Sequence, residues 1–271
     1  SNLWQIAGAS VAVIACWAAV TLKLPPWAAV LAYGLPAALA LAGAGLWYFV
    51  RNPELRPRLS DVRKDSSRQL LTLGIRFLAL GILTSVALNV DNVIIAANAG
   101  AHAVTQYSVP AKIGSLLGLV ITTIFLPLWA ANGEALARGD FDWVRNNSRR
   151  MVWIGGGGVA VAAMILTLAG DRIIYLWMGR NFSDQQMILG LLGGLSVVMA
   201  IASPANMVLN AIGQIRIQII AWAIFALITI ALKLAFVTEG HLWLVPAISL
   251  IMYAIIITPA MWKTAGNALR H

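Results

Sequence analysis

The chain has 271 residues, 60% of them hydrophobic and only 11% charged, with a mean hydropathy of +0.82 and a formal net charge of +9. A soluble domain of this size carries about a quarter of its residues as charges, so a water-facing globular surface is excluded and most of the surface must face lipid. No segment sustains the apolar/polar alternation of an outer-membrane barrel, which leaves an all-α, polytopic helical bundle.

Apolar runs of about twenty residues, the length that crosses a hydrocarbon core of roughly 30 Å, recur along the whole chain. They fall at about 4–22, 27–50, 69–98, 104–131, 151–169, 187–212, 217–237 and 243–262, which makes eight expected spans. The chain opens Ser1-Asn2-Leu3-Trp4, with no initiator Met and no basic stretch before the first run. That pattern differs from a signal peptide and reads as a start partway along a longer protein. Cys16, the single cysteine, lies in the first span as a small packing residue and allows no internal disulfide.

Residues 1–50 form a two-span unit, and 51–68 (RNPELRPRLSDVRKDSSR) a charged linker containing Pro53 and Pro57. Residues 69–262 form a six-span unit, followed by a short tail at 263–271. Between the fourth and fifth spans, 132–150 (NGEALARGDFDWVRNNSRR) has Leu136, Phe141, Trp143 and Val144 for an apolar side, which predicts a short amphipathic helix or turn at the membrane surface. Its Arg-Gly-Asp tripeptide and the Asn181-Phe182-Ser183 glycan acceptor are read as coincidental.

Thirteen Lys and Arg fall on the side of the linker, the 132–150 segment and the tail. Only Lys23, Arg172 and Arg180 fall on the other, an asymmetry that puts both termini in the cytoplasm. The positive charge is therefore a topology signal, and no nucleic-acid partner is needed to explain it. Trp4, Trp27, Trp47, Trp129, Trp153, Trp177, Trp243 and Trp262 lie near expected span ends, where an amphipathic ring sits best. Pro36, Pro110, Pro127, Pro204, Pro246 and Pro259 interrupt spans and favour kinks. Gly155 to Gly158 and the cluster Gly190, Gly193, Gly194 permit close helix approach.

Enzyme signatures are absent. His102, His241 and His271 lie far apart, and no nucleophile elbow, phosphate-cradling loop or metal-ligand spacing occurs, so neither a metal nor a cofactor is implied. The informative residues are the charges within spans, each costing roughly 2.5–3.5 kcal/mol near the bilayer centre on the insertion scale. Arg76 is close enough to its span's start to reach the inner surface or to line a cavity. Lys233 lies four residues from the outer end of its span, within snorkelling range. Asp91, between Asn89 and Asn92, has no cation near it in sequence. Spans three and four should form a hairpin with its apex near Ala101, which puts Asp91 and Lys112 at nearly matched depth. Two arrangements follow: an Asp91–Lys112 ion pair inside the bundle, or an Asp91 hydrogen-bonded locally while Lys112 snorkels.

The stretch VDNVIIAANAGAHAVTQYSVPAKIGSLLG (90–118) resembles the seventh-to-eighth helix hairpin of the Wzx-type O-antigen flippases, members of the MOP exporter superfamily. The likeness lies in the Asp before an aliphatic run, the Gly at the turn, the small-Val-x-x-Tyr-Ser-Val element, and then a basic residue and a Pro (Lys112, Pro127). PLWAANGEALARGDFDWVRNNSRR (127–150) and VLNAIGQIR (208–216) resemble further connections of that family, so that the likeness runs over about 70–262. It implies a two-lobed transporter of which this chain holds the last two helices of the first lobe and the whole second lobe. It implies a substrate, a polyprenyl-pyrophosphate-linked oligosaccharide of lipopolysaccharide synthesis moved from the inner to the outer leaflet of the bacterial inner membrane. Arg76 and Lys112 are then the first substrate-binding candidates, with Asp91 and Lys233 the other charges within spans. Membrane lipids and polysaccharide polymerase proteins are the implied partners. The alternatives are a cation-coupled multidrug exporter, a lipid II flippase of the same superfamily, and a membrane protein with a purely structural role.

Overall fold

A computed structural model describes residues 2–56, 64–179 and 185–270. The central part of the charged linker (57–63), Arg180 with the Asn181-Phe182-Ser183 tripeptide, and His271 lie outside the described residues. Within the described residues all regular structure is helical, and seven helices are long and apolar enough to cross a membrane. The protein is a polytopic all-α membrane protein. The backbone divides into two compact units, Ser1–Arg68 and Gln69–His271.

The first unit is a helical hairpin of α1 (Asn2–Thr21) and α2 (Pro26–Arg51). Its helices meet closely at Gly8, where an added Cβ would stand 2.8 Å from the Cβ of Ala40. The turn closes with Leu24 N–H donating to Ala19 O at 3.0 Å and Lys23 N–H to Val20 O at 3.1 Å. This is a left-handed helix cap, and Lys23 (φ 52) holds the position that usually falls to glycine. Two turns of the second unit use the same bonding pattern with Gly139 (φ 76) and Gly213 (φ 72).

The second unit takes up α3 (Lys64–Asn89), α4 (Asp91–Ala137), α5 (Phe141–Met178), α6 (Gln185–Ala211) and α7 (Ile215–Phe236). It ends with α8 (Leu244–Met252), a π-helical turn at Tyr253–Ile257 and α9 (Thr258–Ala268). α3 runs straight on into α4 through Val90, which keeps right-handed helical angles. The reversal comes at Gly100 (φ 82, ψ 175), a combination that a residue with a Cβ rarely adopts. Antiparallel folding about Gly100 is shown by the Tyr107 hydroxyl reaching Asp91. Sixteen residues of straight helix would hold them about 24 Å apart. The spans expected at 69–98 and 104–131 are thus the two arms of one hairpin.

The amphipathic element expected at 132–150 does not exist as a separate helix. α4 continues to Ala137, Arg138-Gly139-Asp140 makes the turn, and α5 begins at Phe141 with Asp140 accepting from Trp143 N–H at 3.0 Å. The charged residues are helical extensions beyond the apolar stretches, since helix propensity does not stop where lipid does.

α6 is the central helix, packed against α4, α5, α8 and α9. Its close approach to α5 runs through Gly193, where a Cβ would lie 3.0 Å from Ala163. α4 meets α5 where the fully buried ring of Phe125 fills the space over Gly155, whereas Gly157 and Gly158 face open space. A second core forms where Trp222, Phe225 and Tyr253 meet edge to face, with centroids 5.3 to 5.8 Å apart. Tyr253 opens the π turn just ahead of Pro259, whose ring removes one backbone donor.

Candidate functional site

Asp91 lies at the first position of α4, nine residues before the Gly100 turn. The residues on its helix face at i+3, i+4 and i+7 are Ile94, Ile95 and Asn98. Both isoleucines are buried, and Asn98 Nδ2 donates to Leu234 O at 2.8 Å and to Val237 O at 3.3 Å. That face therefore lies against the last turn of α7. Lys233, in the same last turn, extends its ammonium to Asp91 Oδ1 at 2.5 Å, and the Tyr107 hydroxyl donates to Oδ2 at 3.1 Å. The lysine side chain is 1% exposed and the aspartate 15%. An isolated ammonium at that depth would be prohibitive, and the carboxylate with its tyrosine donor is what makes its burial tolerable.

Two expectations are corrected here. Lys233 does not snorkel, because the hairpin covers it and supplies an anion. Among the described residues the cation paired with Asp91 is Lys233 and not Lys112. With the apex at Gly100, Lys112 lies one helical turn deeper than the residue level with Asp91. It also points from a different face of α4 than Tyr107. The local alternative fails as well, since the Asn89 amide bonds its own helix at Ser85 O (2.8 Å).

Lys112 instead lines a cavity of about 510 Å³. One wall is the face of α4 that carries Ser108, Lys112 and Ser115. The opposite wall is Leu192, Ser196 and Met199 of α6, with Ser249 of α8 and the Asn89–Asp91–Asn92 group at the edge. Lys112 is exposed and has no carboxylate partner among the described residues, because the charge of Asp91 is already taken. The cavity thus sets the hydroxyls of Ser108, Ser115, Ser196 and Ser249 into a largely apolar lining and carries one uncompensated cation. Arg76 is not part of it: it borders a separate cavity of about 410 Å³ with Gly213, Gln214 and Arg216, at the turn between α6 and α7. Of the four charged candidates, three belong to one neighbourhood and Arg76 to another.

Tyr107, Ser196 and Ser249 were missed in the sequence. Tyr107 had a readable signal, since seven residues after the turn it falls nearly level with Asp91. The two serines had none, because a single hydroxyl in an apolar helix usually bonds its own backbone, as Ser196 does to Leu192 O at 2.9 Å.

Residues 1–128 match the model of a family described as polysaccharide biosynthesis protein. The matched stretch covers α1, α2, α3 and the part of α4 that carries Asp91, Tyr107 and Lys112. It supports a role in polysaccharide biosynthesis. No curated protein and no solved structure matches the chain.

Proposed function

We propose that the protein is a flippase that moves a polyprenyl-pyrophosphate-linked oligosaccharide from the inner to the outer leaflet of the bacterial cytoplasmic membrane. The observation that carries this reading is the uncompensated Lys112 in a hydroxyl-bearing cavity within a lipid-facing helical unit. A single cation suits a phosphorylated head group that must be bound and then released, while serine and asparagine side chains suit a sugar. Asp91 and Lys233 then shape the cavity edge, and Arg76 with Arg216 offers a second cationic stop near one end of the helices. The family match over residues 1–128 supports the polysaccharide part of the reading, and the Wzx-like motifs support the lipid-linked form of the substrate. Polymerase proteins that extend the glycan are the proposed partners.

In this reading both termini and the α4–α5 turn face the cytoplasm. A cysteine at Asn146 in a Cys16→Ser background is then shielded from an impermeant reagent in intact cells, and labelling there reverses the topology. Expressed at its native length in a strain lacking its own flippase, the protein restores surface polysaccharide, and Lys112→Ala reduces it at unchanged protein level. Full restoration by Lys112→Ala sinks the role given to that ammonium. Rescue of drug efflux with no effect on polysaccharide favours the multidrug exporter.

A further inference from the structure

A further cationic cavity, of about 430 Å³, lies between the start of α5, α6 and the end of α9, and shares no residue with the Lys112 cavity. Arg145, Ser148, Arg149, Trp262 and Arg270 line it, with Ala205 and Val208 of α6 at its apolar side. Arg145 is committed to the structure: it pairs with Asp142 at 2.9 Å and donates to Leu269 O at 2.7 Å, which ties α5 to the end of α9. Arg149 and Arg270 are exposed and make no ion pair among the described residues. The hydroxyl of Ser148, a residue only 4% exposed, has no hydrogen-bond partner among the described residues. A buried hydroxyl without a partner is costly unless something else completes it.

The depth of this cavity is set by the sequence. α5 is 38 residues long, roughly 57 Å at 1.5 Å per residue, far more than the hydrocarbon core requires. Its apolar run starts at Met151, so Ser148 and Arg149 stand within one turn of the lipid boundary. Trp262, whose indole N–H is held by Ile201 O at 3.1 Å, presents its ring at the same level. Basic pockets between helices at head-group level are suited to anionic lipid head groups.

We infer that this cavity binds the phosphodiester of an anionic membrane lipid, with the guanidinium groups of Arg149 and Arg270 on its oxygens and the Ser148 hydroxyl donating to one of them. The acyl chains then run along the apolar surface above Met151. The inference is independent of the transported substrate.

The test is thermal unfolding of the full chain in neutral detergent with short-chain phosphatidylglycerol, with phosphatidylcholine of the same chain length, and with inorganic phosphate. A saturable rise in melting temperature with phosphatidylglycerol alone is expected. Arg149→Gln and Arg270→Gln should each raise the half-saturating concentration about tenfold, as loss of one charge-assisted contact implies. Ser148→Ala separates a ligand role from a structural one: the lipid-free protein should melt at the same or a higher temperature while the lipid-induced rise shrinks. An equal rise with inorganic phosphate makes this a free-anion site and overturns the lipid assignment. An equal rise with phosphatidylcholine, or a phosphatidylglycerol response unchanged in all three variants, overturns it too.

Discussion

Two of the cationic cavities in the second unit treat their charges in opposite ways. At the hairpin, the protein supplies its own counter-ion: Lys233 is sealed under Asp91 and Tyr107, and only Lys112 is left to face the cavity. At the start of α5, one arginine is tied down, and two guanidinium groups with a buried hydroxyl are left open. Depth explains the difference. An ammonium costs most where it is both buried and unpaired, so the sealed Lys233 has its carboxylate while the unpaired Lys112 stays exposed on a cavity wall. At head-group level water and lipid phosphates share the cost, so several free cations persist. In each place the charge left open to a ligand is the one the fold has not neutralised.

This contrast is easiest to break at the ion pair. Asp91→Asn strands a buried ammonium and should cost about 3–5 kcal/mol of stability, measured by unfolding in detergent. Adding Lys233→Met should recover most of that loss, and simple additivity of the two single losses would remove the coupling on which the contrast rests. Tyr107→Phe keeps the pair but removes a donor to the carboxylate, and should cost about 1.5–3 kcal/mol. Gly155→Ala, in the apolar contact between α4 and α5 away from either set of charges, measures how rigid the frame is. Its methyl must displace the Phe125 ring, and a loss of about 1–3 kcal/mol is expected. Lys112→Met should change stability by no more than about 0.5 kcal/mol while surface polysaccharide falls. A large stability loss there would place Lys112 with the structural cations and erase the distinction.

The sequence carried the helices and the hairpin well, because both are written in local terms. Apolar run length gave the spans, and one glycine among small residues gave the reversal to within a residue. Depth was also legible, since it needs only a count from the turn. The direction in which each side chain points was not. Tyr107, Lys112 and Lys233 were all within reach of Asp91 by depth, and the choice among them depended on the rotation of each helix and on where the end of α7 docks. The stripe Asp91, Ile94, Ile95, Asn98 marked the buried face of the hairpin arm, but nothing nearby named what would cover it. The 132–150 segment, expected as a short amphipathic helix or a turn, holds the turn and no separate helix, for a related reason. Composition locates the edge of lipid, whereas the helix ends are set by the Asp140 cap and by Gly139.

The ion pair joins residues 142 positions apart. At roughly 5–20 residues per second, the ribosome needs on the order of 7–30 seconds to deliver Lys233 after Asp91 has been made. During that interval the aspartate enters the membrane with no ammonium from α7 to receive it. The hairpin about Gly100 brings Tyr107 alongside within sixteen residues, so a hydroxyl is in place long before the lysine is. By chain order alone, Tyr107 is the partner within the hairpin's reach before Lys233 exists, and in the finished fold it keeps Oδ2 while the lysine takes Oδ1.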